Sequence, residues 1–162
     1  MIVIINAAIS VDGKISTRKG DSKISSYMDL KRVHRLRCDV NGILVGISTV
    51  LKDDPLLNIR FTSCKKIKKN PTRIIIDSKA RLPLDSKIVT TAKDIETIIA
   101  VTKSAPKNKL DLLKENNLKI IISGEKGKKV NLDQVFCQLE TKFGIKKILV
   151  EGGGEINWSI IK

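Results

Sequence analysis

The sequence predicts an α/β domain with a mostly parallel central sheet flanked by helices. Six short apolar runs alternate with segments of helical periodicity, an order that is typical of parallel sheets. Most runs are continuous and rich in β-branched residues, as expected for strands that are covered on both faces. The predicted strands are residues 2–9, 42–46, 73–77, 97–101, 118–122 and 147–151. The predicted helices are residues 26–39, 47–52, 106–116 and 132–143.

The size and composition of the chain favour a single domain over residues 1–162. A hydrophobic content of 41% in 162 residues suffices for one globular core, whereas a second domain of normal size would not fit. No apolar run approaches the roughly 20 residues that cross a bilayer. The first residues, MIVIINAAIS, lack the basic leader and cleavage site of a signal peptide. We therefore expect a cytoplasmic protein.

The net charge of the chain is +14, from 31 Lys and Arg against 17 Asp and Glu. Such a field attracts phosphate-bearing partners, either a polynucleotide or a small anionic metabolite. An aromatic content of 3% provides few rings on which bases could stack, so we expect no nucleic-acid partner. A basic nucleic-acid-binding α/β module remains the alternative. The lysine clusters at 65–70 and 125–129 are interpreted as solvated loops.

The cysteines give no sign of a metal site or of a disulfide framework. Cys38, Cys64 and Cys137 are odd in number and far apart, without CxxC spacing, and His34 is the only histidine. We interpret all three as ordinary small apolar residues.

The predicted helix 26–39 carries an arginine on the stripe that should face the protein. Leu30, Val33 and Arg37 lie at spacings of three and four residues. Arg37 either snorkels or pairs at the helix C-terminus, where a cation is favoured, or receives an anion at the edge of the sheet. No Ser or Cys nucleophile motif accompanies His34, so we interpret this histidine as structural or exposed.

Two further segments follow predicted strands. The Asp-Gly step within SVDGKIST, residues 10–17, indicates a tight turn. In VGISTVLKDDP, residues 45–55, Thr49 precedes the pair Asp53 and Asp54. Paired carboxylates could perform acid/base work or hold a metal, but adjacent side chains point in different directions. We expect one of the two to tie the loop.

The stretch LVEGGGEIN, residues 149–157, places three glycines between a predicted strand and a helix. Ligands of parallel α/β sheets bind beyond the carboxyl ends of the strands. Glycines let the backbone turn tightly and approach a phosphate, and the following helix would direct its positive end at the same anion. Alone, the stretch fits a phosphate cradle and a plain strand-to-helix turn equally well.

Together these segments resemble the reductase family of riboflavin biosynthesis. The resemblance is carried, in order, by AAISVDGKIS, HRLRCDVNGILVGISTVLKDDPLLNIR, PTRIIIDSKARLP and ILVEGGGEINWSII. The family includes the free-standing archaeal-type reductase of 2,5-diamino-6-(ribosylamino)-4(3H)-pyrimidinone 5′-phosphate and the reductase domain of the bifunctional deaminase-reductase. The chain resembles the archaeal type, because no deaminase segment with zinc ligands precedes the matching residues.

The resemblance implies a dihydrofolate-reductase-like fold, usually in a homodimer. It implies NADPH, or NADH, as the cofactor and a hydride delivered to C1 of the sugar through a ring-opened imine, which converts the ribosyl group to ribityl without a metal. Another reductase of this fold is disfavoured, because low aromatic content and the arginine of DDPLLNIR suit a phosphorylated sugar better than a pterin. Family members extend further, so we expect the domain to lack the C-terminal strands of the family.

The resemblance also assigns site residues. The cofactor would lie against Ala8, Ile24, Thr49, Asp53, Ser78, Gly153, Gly154, Glu155, Ile156 and Asn157. The substrate would lie against Ser22, Arg37, Leu57, Arg60 and Glu151. Arg37 and Arg60 would bind the substrate phosphate in bidentate fashion. Of the two expected catalytic residues, Asp53 would orient the cofactor and Glu151 would bind the pyrimidinone edge or assist proton delivery.

Overall fold

A computed structural model of the chain describes residues 1–17, 26–62, 64 and 69–162. Within this part, six strands form one parallel sheet in the order β1-β6-β2-β3-β4-β5. The strands are β1 (Ile2–Ile5), β2 (Gly42–Gly46), β3 (Thr72–Ile76), β4 (Thr97–Val101), β5 (Leu118–Ile122) and β6 (Lys147–Val150). The helices are α1 (Tyr27–Cys38), α2 (Ile47–Asp53), α3 (Lys87–Thr90), α4 (Lys107–Glu115), α5 (Leu132–Phe143) and α6 (Gly154–Ile161). The predicted α/β class with a mostly parallel sheet is confirmed.

The central strands are buried on both faces, which explains their continuous apolar sequences. Every residue of β2, β3 and β4 is buried. Successive side chains of a strand point to opposite faces, so Ile75 packs in one core cluster and its neighbour Ile74 in the other. Burial of one such side chain contributes roughly 1.5–3 kcal/mol. The two apolar layers hold the sheet rigid beneath the loops at its carboxyl edge.

Capping residues set the predicted helix boundaries. The hydroxyl of Ser26 accepts a hydrogen bond from the Asp29 amide at the start of α1, at 3.3 Å. The Asn131 side chain does the same for the Gln134 amide at the start of α5, at 3.0 Å. Ser, Thr, Asp and Asn are the preferred residues at this position. No pattern in the sequence indicated α3, which has only four residues.

The first strand is shorter than predicted. The run 2–9 was expected to be extended throughout, but β1 ends at Ile5 and the chain then leaves the sheet. A tight turn follows, as predicted, in which the Gly13 amide donates to the Ser10 carbonyl at 2.9 Å. Residues 6–8 are thereby free to line a cleft at the carboxyl edge.

The interpretation of the cysteines as small apolar residues is wrong. Cys38, the last residue of α1, forms a disulfide with Cys64, which lies 26 residues later. Cys137 is free but exposed on α5. The spacing of the cysteines could not reveal the pair, because it exists only where the loop between α2 and β3 returns to the end of α1.

The guanidinium of Arg73 lies in the core. Arg73 of β3 is fully buried, and its guanidinium donates to the Thr97 hydroxyl at 2.9 Å and to the Ile88 carbonyl at 2.8 Å. Burial lowers the pKa of Arg73 to about 10. A further donation to the Leu56 carbonyl, at 3.3 Å, attaches the start of the loop between α2 and β3 to the sheet.

Within the described ranges, no helix is long and apolar enough to cross a bilayer.

Candidate active site

Two clefts adjoin at the carboxyl edge of the sheet, where the chain leaves β1, β2, β3 and β6. The first has a volume of about 360 Å³, and we call it the carboxylate cleft because Asp53 and Glu151 line it. The second has a volume of about 370 Å³, and we call it the lysine cleft because Lys79, Lys128 and Lys129 line it. Gly153 borders both clefts. The position agrees with the rule that parallel α/β sheets bind ligands beyond the carboxyl ends of their strands.

The glycine turn joins β6 to α6 between the two clefts. The Gly46 amide donates to the Gly152 carbonyl at 2.8 Å, which attaches the turn to the end of β2. Gly152 has a φ of +105°, which side chains rarely allow. The peptide bond between Gly152 and Gly153 is cis. Gly153 caps α6 without a side-chain hydrogen bond, so the amides of its first turn are available to an anion.

Arg37 and Glu151 form a buried ion pair at the side of the carboxylate cleft. The Arg37 Nε donates to Glu151 Oε1 at 2.7 Å, and Nη2 donates to Oε2 at 2.6 Å. The two side chains are only 10% and 12% exposed. Arg37 Nη1 also donates to the Asn58 carbonyl at 2.6 Å. Arg37 therefore pairs near the helix C-terminus, as one interpretation of the sequence expected, and it holds Glu151 and the loop that contains Asn58.

His34 supports the same group of residues as a neutral imidazole. Its Nδ1 accepts a hydrogen bond from the Arg60 amide at 3.1 Å, and its ring packs edge-to-face on Phe61 with the two ring centroids 4.7 Å apart. Burial lowers the pKa of His34 to about 4, and the charges of Arg37 and Arg60 add to this effect. The structural interpretation of His34 agrees with this environment, because a neutral ring is the form that accepts the amide.

The other predicted substrate residues in the described ranges lie beyond the wall of the carboxylate cleft. The Arg60 guanidinium is exposed, lies over Phe61 and donates to Asn58 Oδ1 at 2.7 Å. Burial lowers the pKa of Arg60, as does the charge of Arg37, while Glu151 raises it. Leu57 is 2% exposed in the core with a φ of +46°, so only its backbone could contact a ligand. Ser22 lies outside the described residues.

Nine of the ten predicted cofactor residues line the two clefts. Ala8, Thr49, Asp53, Gly153 and Asn157 line the carboxylate cleft. Ser78, Gly153, Gly154, Glu155 and Ile156 line the lysine cleft. The tenth, Ile24, lies outside the described residues. Asn157 Oδ1 is buried without a hydrogen-bond partner among the described residues, as expected for a group that a ligand completes.

Of the neighbouring Asp53 and Asp54, one ties the loop, as the sequence analysis expected. Asp54 turns away from the cleft, accepts a hydrogen bond from the Lys87 amide at 2.9 Å and lies 3.5 Å from the Lys87 ammonium. Asp53 is exposed and lines the carboxylate cleft. Asp54 therefore ties the loop, and Asp53 is available to a ligand.

Sequence reasoning missed the cations of the lysine cleft. Lys79 and Arg81 follow β3, and Lys128 and Lys129 come from the loop between β5 and α5. The segment 125–129 is indeed an exposed loop, but its residues 127–129 line the lysine cleft. Glu155 is the one carboxylate in the lining of this cleft within the described residues, and it pairs with Lys129 at 2.5 Å. The cleft therefore carries an excess of positive charge.

Hydrogen bonds fix the backbone that presents these cations. Asp77 is fully buried at the end of β3, and its Oδ2 accepts from the Leu82 amide at 2.9 Å. Burial raises the pKa of Asp77, against the opposing effects of the Leu82 amide and of Arg81. In the other loop, the Gly127 amide donates to the Ser104 hydroxyl at 2.8 Å. Both loops are thus held in place by contacts within the described residues.

This parallel α/β sheet, with two joined clefts at its carboxyl edge, has the dihydrofolate-reductase-like fold of the reductase domains among its structural neighbours. The model of the RibD C-terminal domain family matches residues 1–162, and the chain belongs to this family.

Two curated relatives carry the name 2,5-diamino-6-ribosylamino-4(3H)-pyrimidinone 5′-phosphate reductase. The Aquifex aeolicus protein is 40% identical over 99% of this chain and 70% of its own length. The Methanothermobacter thermautotrophicus protein is 36% identical over 98% of this chain and 70% of its own length. Among solved structures, the Saccharomyces cerevisiae riboflavin biosynthesis reductase Rib7 has a TM-score of 0.72 and 28% identity. That alignment covers 96% of this chain and 64% of the Rib7 chain.

Proposed function

We propose that this chain reduces the ribosyl group of 2,5-diamino-6-(ribosylamino)-4(3H)-pyrimidinone 5′-phosphate to a ribityl group, with NADPH as the cofactor. The observation that carries the proposal is the meeting of two clefts at Gly153, one with an excess of cations and the other with the Arg37–Glu151 pair on its wall. Two relatives of high coverage bear the name of this reductase. The bound dinucleotide supplies the hydride, and the chain supplies binding, orientation and a site for the proton.

The clefts fit an extended dinucleotide. The amides of the first turn of α6 suit a phosphate, because helix N-termini carry partial positive charge. A Cβ atom on Gly153 would come within 3.3 Å of the Thr49 hydroxyl. The absence of a side chain at Gly153 therefore leaves space where the two clefts join. Asp53 and Asn157 would then orient the nicotinamide end in the carboxylate cleft.

NADPH suits the lysine cleft better than NADH does. The two cofactors differ by one phosphate on the adenosine ribose, so selectivity requires cations that are not already neutralised. Lys79, Lys128 and Arg81 line the cleft, and Ser78 adds a hydroxyl. Arg81 is partly balanced by Asp77, at 3.6 Å, which leaves the two lysines as the stronger attraction for a phosphate.

The substrate would bind against Glu151 and Arg60. The carboxylate of Glu151 uses both oxygens to accept from Arg37, yet each oxygen has a second acceptor site that suits the amino and N–H groups of a diaminopyrimidinone. Arg60 presents its exposed guanidinium to the ribose phosphate. Arg37 becomes a positioning residue for Glu151, instead of the phosphate ligand that the resemblance implied.

A protein of this function would work in the cytoplasm as a single reductase domain and as a homodimer. Apolar residues at the β1 edge and on α6 support a covering partner, since Ile2, Trp158 and Ile161 are 60%, 63% and 68% exposed. Light scattering at several concentrations would measure the mass of the assembly.

Turnover with the diaminopyrimidinone ribotide tests the proposed function. Addition of the ribotide to the protein and NADPH should remove the nicotinamide absorbance, with one NADPH consumed per ribityl product. Dihydrofolate serves as the control substrate and should leave the absorbance unchanged. Consumption with dihydrofolate and not with the ribotide would assign the chain to another reductase of this fold.

A further inference from the structure

The Cys38–Cys64 disulfide lies beside the substrate side of the site. Cys38 follows Arg37 directly, and Cys64 comes four residues after Arg60; we call residues 54–62 together with Cys64 the Arg60 loop. The two Cα atoms are 5.6 Å apart. The bond therefore joins the helix that holds Glu151 to the loop that presents the phosphate-binding arginine.

Non-covalent contacts also join α1 to the Arg60 loop. Arg37 donates to the Asn58 carbonyl, the Arg60 amide donates to His34, and Phe61 packs against the His34 ring. These contacts depend on two side chains of α1. The disulfide is the covalent link between the two elements in the described residues, and it fixes the loop beyond Arg60.

The cofactor side is built from other elements. Thr49 and Asp53 belong to α2, Ser78 follows β3, and Gly153 caps α6. The start of the Arg60 loop is attached to the sheet by Arg73 through the Leu56 carbonyl. Loosening the far end of the loop would therefore move Arg60 while the cofactor clefts keep their walls.

We propose that the Cys38–Cys64 disulfide positions Arg60, so that the redox state of this pair sets the affinity for the phosphorylated substrate. The identity of that substrate rests on the proposed function. A dithiol gives two electrons and two protons to the S–S bond, which yields two thiols on the protein and a disulfide on the reagent. Both cysteines are partly exposed, so a dithiol can reach them.

The pair is tested by comparing oxidised and dithiothreitol-reduced protein. Alkylation after denaturation should find one thiol in the oxidised form and three in the reduced form, because the chain has three cysteines. Reduction should raise the KM for the ribotide about tenfold, the effect of roughly 1.4 kcal/mol, while kcat and the Kd of NADPH stay constant. The double variant Cys38→Ser/Cys64→Ser should have the raised KM of the reduced protein, both with and without dithiothreitol. The control Cys137→Ser should respond as the unmodified protein does.

A second readout does not need turnover. The Arg60 amide is bonded to His34, so its hydrogen exchange should accelerate on reduction, whereas the Gly46 amide, bonded to Gly152, should not change. If no form turns over the ribotide, the proposed function fails and this exchange still decides the role of the disulfide. The proposal would be overturned by three thiols in the oxidised protein, by a KM for the ribotide that does not change on reduction, or by an equal loss of NADPH affinity on reduction.

Discussion

Arg37 and Glu151, 114 residues apart in the sequence, form a two-point ion pair on the wall of the carboxylate cleft. Arg37 belongs to α1 and Glu151 follows β6, so the pair joins a helix on one side of the sheet to the glycine turn. Both partners are almost buried, where a charge that loses its partner is costly. The pair thus holds the Glu151 carboxylate in place at the carboxylate cleft.

Replacement of Arg37 by methionine should impair substrate use more than cofactor binding. Loss of one partner of a buried, hydrogen-bonded charge pair costs about 3 kcal/mol, so kcat/KM for the ribotide should fall about 100-fold. NADPH affinity should hold, since Arg37 does not line either cleft. Steady-state kinetics and NADPH fluorescence measure the two effects. The control is Arg35→Met, an exposed arginine on the same helix; equal losses in both variants would contradict the assignment.

A side chain at Gly153 should close the junction of the two clefts. Alanine would place its Cβ 3.3 Å from the Thr49 hydroxyl, and valine would add two methyl groups in the same space. The φ of Gly153 is −80°, which side chains tolerate, so the fold should survive. We expect NADPH affinity to fall modestly in Gly153→Ala and more than about tenfold in Gly153→Val, equivalent to over 1.4 kcal/mol. Titration calorimetry would measure it, and wild-type affinity in the valine variant would exclude the turn from the cofactor site.

Removal of Lys128 should reduce selectivity for NADPH over NADH. A hydrogen bond from a charged group contributes about 1.5–3 kcal/mol, so Lys128→Ala should weaken NADPH binding by about tenfold or more. NADH, which lacks the extra phosphate, should bind as before. The matched control is Lys126→Ala, since Lys126 is exposed on the same loop and does not line the cleft. A loss shared equally by both cofactors would place the lysine elsewhere on the dinucleotide.

Acid should destabilise the protein through His34. Its pKa is about 4 in the folded chain and 6.5 as the ordinary value, so the unfolded chain binds the extra proton between these two pH values. Stability is therefore fully present above pH 6.5 and falls as the pH drops to 4, by at most about 3 kcal/mol. Urea unfolding across this range would measure the loss. His34→Asn keeps an acceptor for the Arg60 amide and cannot titrate, so its pH dependence should be flatter; identical curves would contradict this origin.

Local patterns predicted much of the fold. The predicted helix 132–143 coincides with α5, because Asn131 caps its start and Gly144, at a φ of +66°, ends it. The glycine turn was placed correctly, since a strand-to-helix turn leaves a signal in consecutive residues. The first strand was drawn too long, because apolar residues such as Ile9 continue past Ile5 although the chain has left the sheet.

The contacts that organise the site could not be predicted in this way. The Cys38–Cys64 bond and the Arg37–Glu151 pair join segments that only the tertiary fold brings together. The cluster 125–129 was correctly interpreted as a loop, but its charge gave no hint that Lys128 and Lys129 line a cleft. The resemblance supplied residue names for the site, whereas the structure shows which of them share a cleft.

The most direct test of the proposed reduction is the transfer of an isotopic label. NADPH that carries deuterium at the transferable position of its nicotinamide would be incubated with the protein and the diaminopyrimidinone ribotide in ordinary water. We expect a ribityl product with one deuterium at C1 of the sugar chain, detected by mass spectrometry and NMR. An unreduced ribotide, or a product without the label, would contradict it.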